Sequence, residues 1–279
     1  MQRNEKDRIY LETDATSDGL THTVVGDTRS VRLFSMRCKE AQSQLLANQD
    51  YAQVVSRHDG SSLCFCVCDG VGSSYKGDFA ARFLATRVVR WLSLLPEMPE
   101  DMNAFSTSLR ACLQQWAGEA QQELKRMSLP RQAPALVREV LEEQREMYGS
   151  ETVFFGGRVE RASWSDTLRL SHPAQALFCW MGNVVGRVHV APGQVMLVGD
   201  QDDDRARWST LHGPRGPVTS WSIALSTLES IVVYTDGFET SGATLATLSD
   251  DGWHAQAQRL LTLPGNDDMT ALEVRWRLT

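Results

Sequence analysis

The sequence predicts an α+β fold with mainly antiparallel sheets, and three observations carry that reading. Strand-like apolar runs gather in the first and last thirds of the chain, while stretches with a 3.6-residue apolar period fill the middle. Few strands are separated by the helical crossovers that a parallel sheet requires. With 279 residues, 42% of them apolar, the chain is long enough to bury a substantial core.

Residues 1–30 are rich in Asp, Thr, Ser and Gly and show little periodicity, so they read as a polar N-terminal extension or a loosely held edge segment. Residues 31–279 read as a single domain. Strands are expected at 31–36 and 50–56, joined by a polar stretch with room for a helical turn, and at 63–68 after a His58-Asp-Gly turn. A helix follows Gly77, with Phe79, Phe83, Leu84, Val88, Trp91, Leu92 and Leu95 on one stripe; Pro96 and Pro99 end it. A second stripe from Phe105 to Met127 stops before Pro130, and 135–148 forms a third, less strongly patterned helix. Strands return at 152–155 before Gly156 and Gly157, at 175–181, 184–190, 194–198 and 231–234. A polar loop is expected at 199–219 and a short helix at 252–261. The last strand alternates Leu272, Val274, Trp276 and Leu278 inward with Glu273, Arg275 and Arg277 outward.

A net charge of −7 and a pI near 5.4 give no general electrostatic reason to bind nucleic acid or an anionic membrane. The polar opening residues lack the apolar core of a secretory signal, and no apolar run approaches the ~20 residues that span a bilayer. A cytoplasmic, monomeric protein is expected. Cys64, Cys66 and Cys68 share one face of a strand, where they cannot pair with one another, and read as small core residues of a reducing compartment.

Four acids stand beside strand ends: Asp50 before an apolar run, Asp69 and Asp236 after one, and Asp267 shortly before the last. Carboxylates are hard oxygen donors, so acids converging from four strand ends would hold magnesium or manganese. A carboxylate shared by two such ions sets them ~3.5 to 4 Å apart, the spacing at which a bridging water becomes a nucleophile. Taken singly, each Asp-Gly step is more simply a turn.

The motifs Asn48-Gln-Asp50, Asp69-Gly-Val-Gly72 followed by Gly77-Asp-Phe-Ala-Ala81, Gly149-Ser-Glu-Thr152, Gly182-Asn183, Thr235-Asp236-Gly237 and Asp267-Asp-Met-Thr270 occur in order over most of the chain. In order and approximate spacing they resemble the metal-dependent type 2C serine/threonine protein phosphatases, in a bacterial form. The resemblance implies a β-sandwich of two antiparallel sheets flanked by helix pairs in four layers. It also implies removal of phosphate from phosphoserine and phosphothreonine in a protein substrate, opposing a partner serine/threonine kinase, by a hydroxide bridging two Mg or Mn ions; a third ion is compatible with it. Asp69 would bridge the ions, the Gly70 carbonyl would add a ligand, Asp236 and Asp267 would hold the first ion, and Asp50 would serve the second. Asp69 and Asp236 are the residues it makes catalytic.

The chain departs from that pattern in places. Leu45 stands where the family often carries a phosphate-gripping arginine, so Arg37, Lys39 or Lys76 would have to supply the charge. Val71 replaces a histidine common in eukaryotic members, Gln49 a frequent glutamate, and Gly182-Asn-Val-Val the usual Gly-Asp-Ser-Arg. These changes leave a second reading open, a catalytically weak relative that binds a phosphoprotein or regulatory partner. Other chemistries fail on detail. No arginine lies six residues after Cys68, Gly72 to Gly77 lacks the ending of a nucleotide-binding loop, and the acidic run at 200–204 lacks the glycine and glutamate of a calcium loop.

Overall fold

The computed structural model describes residues 8–26, 29–129, 134–160, 175–190, 193–199, 205–224 and 228–276. Two antiparallel sheets lie face to face. In the first, β1 (Arg8–Glu12), β4 (Tyr51–Arg57), β5 (Ser62–Gly70) and β6 (Glu151–Glu160) are successive neighbours. Beyond them β6 pairs with β7 (Gln175–Met181) along most of its length, and β7 with β12 (Thr219–Ala224). At Glu151 and Thr152, β6 pairs instead with β10 (Arg207–Ser209), which turns back as β11 (Gly213–Arg215). The second sheet runs in the order β2 (Gly19–Val25), β3 (Arg29–Met36), β14 (Met269–Trp276), β13 (Leu228–Tyr234), β8 (Val185–Val190) and β9 (Gln194–Val198).

Alternation along β5 shows why the layers form. Leu63, Phe65 and Val67 face the second sheet and pack with Val31, Ile231 and Leu272, whereas Cys64, Cys66 and Cys68 face the helices α2 (Gly77–Leu94) and α3 (Met102–Arg126). All six cysteines are unpaired. The outer face of the second sheet carries Phe34, Val232, Tyr234 and Ala271 beneath Trp253 and Ala257 of α5 (Asp250–Leu260). The expected four layers are therefore present, with α2 and α3 on one side and a lighter layer, α5 with two 3-10 turns, on the other. Each large side chain buried between layers contributes about 1.5–3 kcal/mol.

Several details differ from the sequence reading. The strand expected to stop before Gly156 runs through both glycines, because a Cβ on Gly157 would stand 2.5 Å from the Phe65 ring. Glu273, expected outward, is buried: it accepts a 2.6 Å hydrogen bond from Arg32, whose guanidinium lies over the Trp253 ring, because α5 covers that face. Arg277 and Leu278 lie outside the described residues. The expected polar loop contains the β10–β11 hairpin, anchored by the fully buried Trp208, whose indole N–H donates to the Leu113 carbonyl at 2.9 Å. Its acidic run at 200–204 lies outside the described residues. Within the segment read as extension or edge, β1 and β2 pair at the rims of the two sheets. Among the described residues no helix is long and apolar enough to cross a membrane.

Candidate functional site

Antiparallel pairing gathers the four acids at one end of the sandwich. Tyr51 opens β4 opposite Cys68 near the close of β5, so Asp50 and Asp69 meet at one end of the first sheet. Tyr234 closes β13 opposite Ala271 near the start of β14, so Asp236 and Asp267 meet at the same end of the second. Each sheet contributes two.

Asp50 is the most firmly held. Its carboxylate accepts 2.7 Å from the Thr235 hydroxyl, which also receives the Thr270 N–H at 3.0 Å, and its own N–H donates to the Asn48 side chain at 2.8 Å. Asn48 in turn donates to the Ser35 hydroxyl at 2.9 Å. Burial, and then repulsion from Asp69, hold the Asp50 carboxyl well above the usual carboxylate range. The Asp69 carboxyl lies beside that of Asp236, and burial followed by repulsion from Asp236 and Asp267 raises it as well. Asp236 opens toward solvent at the mouth of the site, yet its carboxyl is crowded by protein atoms. Burial and then Asp267 push it up to about 6. The Asp69 carbonyl accepts from the Thr152 hydroxyl at 2.6 Å, fixing the end of β5.

Gly70 follows at a point of close backbone approach. A Cβ there would stand 2.6 Å from the carbonyl oxygens of Gln49 and Gly77, so only glycine lets these segments meet. Asp268, which the sequence reading left without a role, turns inward and accepts from the N–H groups of Cys38 (2.7 Å) and Gln49 (2.6 Å), pinning the loop before Asp50 to the loop before β14. Asp267 faces outward and accepts from the Asp268 N–H. The recurring Thr beside each acid motif, Thr235 and Thr270, was the one signal in the sequence for the hydrogen-bond bridge to Asp50.

The three basic candidates fare differently. Arg37 is committed to Asp18, whose carboxylate receives its Nε at 3.1 Å and Nη2 at 3.2 Å. Lys39 and Lys76 are exposed, and Lys76 holds a left-handed backbone (φ 54°) where α2 begins. Leu45 is 86% exposed and closes α1 (Lys39–Gln44) in the same conformation, with φ 55°. A cavity of about 80 Å3 adjoins the acids, lined by Asn183, Val185, Tyr234, Thr235, Asp236 and Glu239.

The residues fit a divalent cation. Every donor is oxygen, and the raised carboxyls signal repulsion that a hard cation would relieve. Among the described residues no three His, Cys, Asp or Glu side chains already close around one point. Capture would require rotation, which the solvent-facing Asp236 and Asp267 have room to make.

A family model described as protein phosphatase 2C matches residues 37–271. Among solved structures, the serine/threonine phosphatase Stp1 from Staphylococcus aureus shares 12% identity, with a TM-score of 0.57 over 91% of this chain and 98% of that one. RsbX in complex with magnesium shares 13% over 92% and 99%, with a TM-score of 0.54. PppA, a regulatory component of the type VI secretion system (T6SS) in Pseudomonas aeruginosa, shares 17% over 90% and 99%, with a TM-score of 0.51. At these identities the likeness is one of fold. A comparison with curated proteins finds no match.

Proposed function

Because the chain belongs to the protein phosphatase 2C family of metal-dependent serine/threonine phosphatases, we propose that it removes phosphate from phosphoserine and phosphothreonine in a protein substrate, in opposition to a serine/threonine kinase. The observation that carries this reading is the meeting of Asp50, Asp69, Asp236 and Asp267 at one end of the sandwich, two from each sheet.

In this reading Asp69, the Gly70 carbonyl, Asp236, Asp267 and Asp50 would together hold two magnesium or manganese ions, Asp236 and Asp267 serving the first and Asp50 the second. When bound, such ions neutralise phosphate charge and acidify the attacking water. The chain's own part is positioning. Thr235 and Asn48 fix Asp50, Thr152 fixes the strand end that carries Asp69, and Asp268 clamps two of the converging loops. Lys39 and Lys76, both exposed, are the cations left to meet the phosphoprotein. The six unpaired thiols suit a cytoplasmic setting.

The test is hydrolysis of a small aryl phosphate with manganese, with magnesium and with chelator, beside Asp69→Ala. Turnover that needs the ion and is lost in the variant supports the reading; an unchanged rate in Asp69→Ala sinks it. One observation favours a second reading, a partner-binding relative of low activity: Arg37 is already committed to Asp18 and Leu45 offers no charge. Folded, ion-loaded protein without turnover would select that reading.

A further inference from the structure

The helix α4 (Ala135–Met147) is amphipathic, yet none of its residues is buried. It meets the body at its C-terminal end, where the Gly149 carbonyl accepts from the Tyr75 N–H at 2.9 Å and the Tyr148 carbonyl from the Ser209 hydroxyl at 3.2 Å. Leu141, Gln144 and Arg145 are partly covered there. Leu136, Val137, Val140, Leu141, Met147 and Tyr148 form one stripe, about 140° wide at 3.6 residues per turn. Leu136 is 72% exposed and Met147 57%. Gln144 interrupts the stripe toward its C-terminal end, but Leu136, Val137 and Val140 leave its N-terminal half apolar and exposed, and a helical patch of that kind needs an explanation that scattered apolar residues do not.

The charges beside the stripe say what covers it. On the same helical wheel, Glu139, Glu143 and Glu146 follow one edge, and Arg138 and Arg145 follow the other; Arg145 is partly covered and paired with Glu142 of its own helix at 3.4 Å, so the exposed Arg138 is the cation that edge offers a partner. Two copies of this helix packed in parallel about a two-fold axis along them set the acidic edge of each against the basic edge of its partner. Antiparallel packing would set like against like. In the parallel pair Arg138 also lies at nearly the height of the opposing Glu139, within ~2 Å along the axis. Charges at such flanking positions set orientation and partner choice in paired helices.

We propose that α4 is a self-association element which pairs in parallel with α4 of a second copy of this chain, in place of the single-copy state expected from the sequence. A contact one 13-residue helix long spans about 20 Å, so pairing is weak and concentration-dependent. The proposal is independent of the reading of the acid site.

The experiment is sedimentation velocity on the full chain over a concentration series, beside Val140→Glu, Arg138→Glu and the double variant Arg138→Glu with Glu139→Arg. Wild type should pass from monomer to dimer, and Val140→Glu should raise the dimer dissociation constant roughly tenfold or more, since it places unpaired carboxylates in the contact. Arg138→Glu should weaken pairing several-fold, and the double variant should restore it. Because Arg138, Glu139 and Val140 are exposed, all these variants should keep the wild-type melting temperature at dilutions where every species is monomeric. Val137→Cys, near the midline of the stripe and toward the far end of the helix, should cross-link copy to copy under mild oxidation, since like midline positions face each other at that height only in the parallel pair. A wild type that stays monomeric throughout overturns the proposal. So does a dimer indifferent to these substitutions, or one that Val137→Cys fails to cross-link.

Discussion

Replacing Asp236 by asparagine should make the metal-free protein more stable, although it removes a group proposed to hold the ion. Crowding and Asp267 raise the Asp236 carboxyl from 3.8 to about 6 in the folded chain, which corresponds to about 3 kcal/mol of unfavourable ionisation once the site is fully charged. Asp236 opens to solvent, and screening there reduces the effective figure to about 1 kcal/mol. The sign follows from proton binding. Between pH 4 and 6 the folded state holds a proton that the unfolded state has released, so this group lowers stability as pH rises through about 6. Asparagine carries no such charge, and its side-chain oxygen can still accept from the Asp69 carboxyl. In chelator at neutral pH, Asp236→Asn should therefore melt about 2–4 °C above wild type, and the gap should close toward pH 4. Manganese should reverse the ranking, stabilising wild type and leaving the variant unmoved. Thermal melts across this pH range, with and without manganese, decide the matter. A variant that melts at or below wild type in chelator at neutral pH, or a gap independent of pH, refutes the account of mutual repulsion.

Other perturbations test the scaffold around the acids. Thr235→Val leaves the Asp50 carboxylate without its 2.7 Å donor and the Thr270 N–H without its acceptor, and urea unfolding should show a loss of ~2–4 kcal/mol. Gly70→Ala drives a methyl into the Gln49 and Gly77 carbonyls; phosphatase activity should fall to background and calorimetry should report a less stable fold. Glu273→Ala removes the 2.6 Å partner of the buried Arg32 guanidinium, which keeps the Leu248 carbonyl and the half-exposed Asp250 carboxylate, and should cost ~2–3 kcal/mol, whereas pairing Arg32→Met with Glu273→Leu should recover most of it in the same denaturation assay.

The central strands and the helices α2 and α3 were legible because their apolar periods match the faces they bury. The rim strands were not. In β2 the residues Thr21, His22 and Thr23 break the alternation, since an edge strand packs on one side only and tolerates polar side chains. The alternation of Glu273 and Arg275 in the last strand looks like a solvent face; Arg275 is indeed exposed, and the docking of α5 some residues earlier is what buries Glu273. At the candidate site, position beside strand ends identified Asp50, Asp69, Asp236 and Asp267 as acids that meet. What remained hidden depends on side-chain direction. Asp267 and Asp268 are adjacent and chemically identical, yet one faces the mouth and the other clamps two loops. Arg37 was expected to reach phosphate, but Asp18, 19 residues away on the other side of a turn, holds it by contacts that no local pattern announces.

The division of the acids, two from each sheet, has a mechanical consequence. A cation shared among them would act as a rivet through the open end of the sandwich, joining layers that elsewhere adhere by apolar packing without direction. Without it, like charges press the two layers apart at that end, and the Thr235–Asp50 hydrogen bond is a direct tie between them. Ion loading would then be felt as rigidity well beyond the ligands, first in the amide exchange of the last residues of β5 and β13.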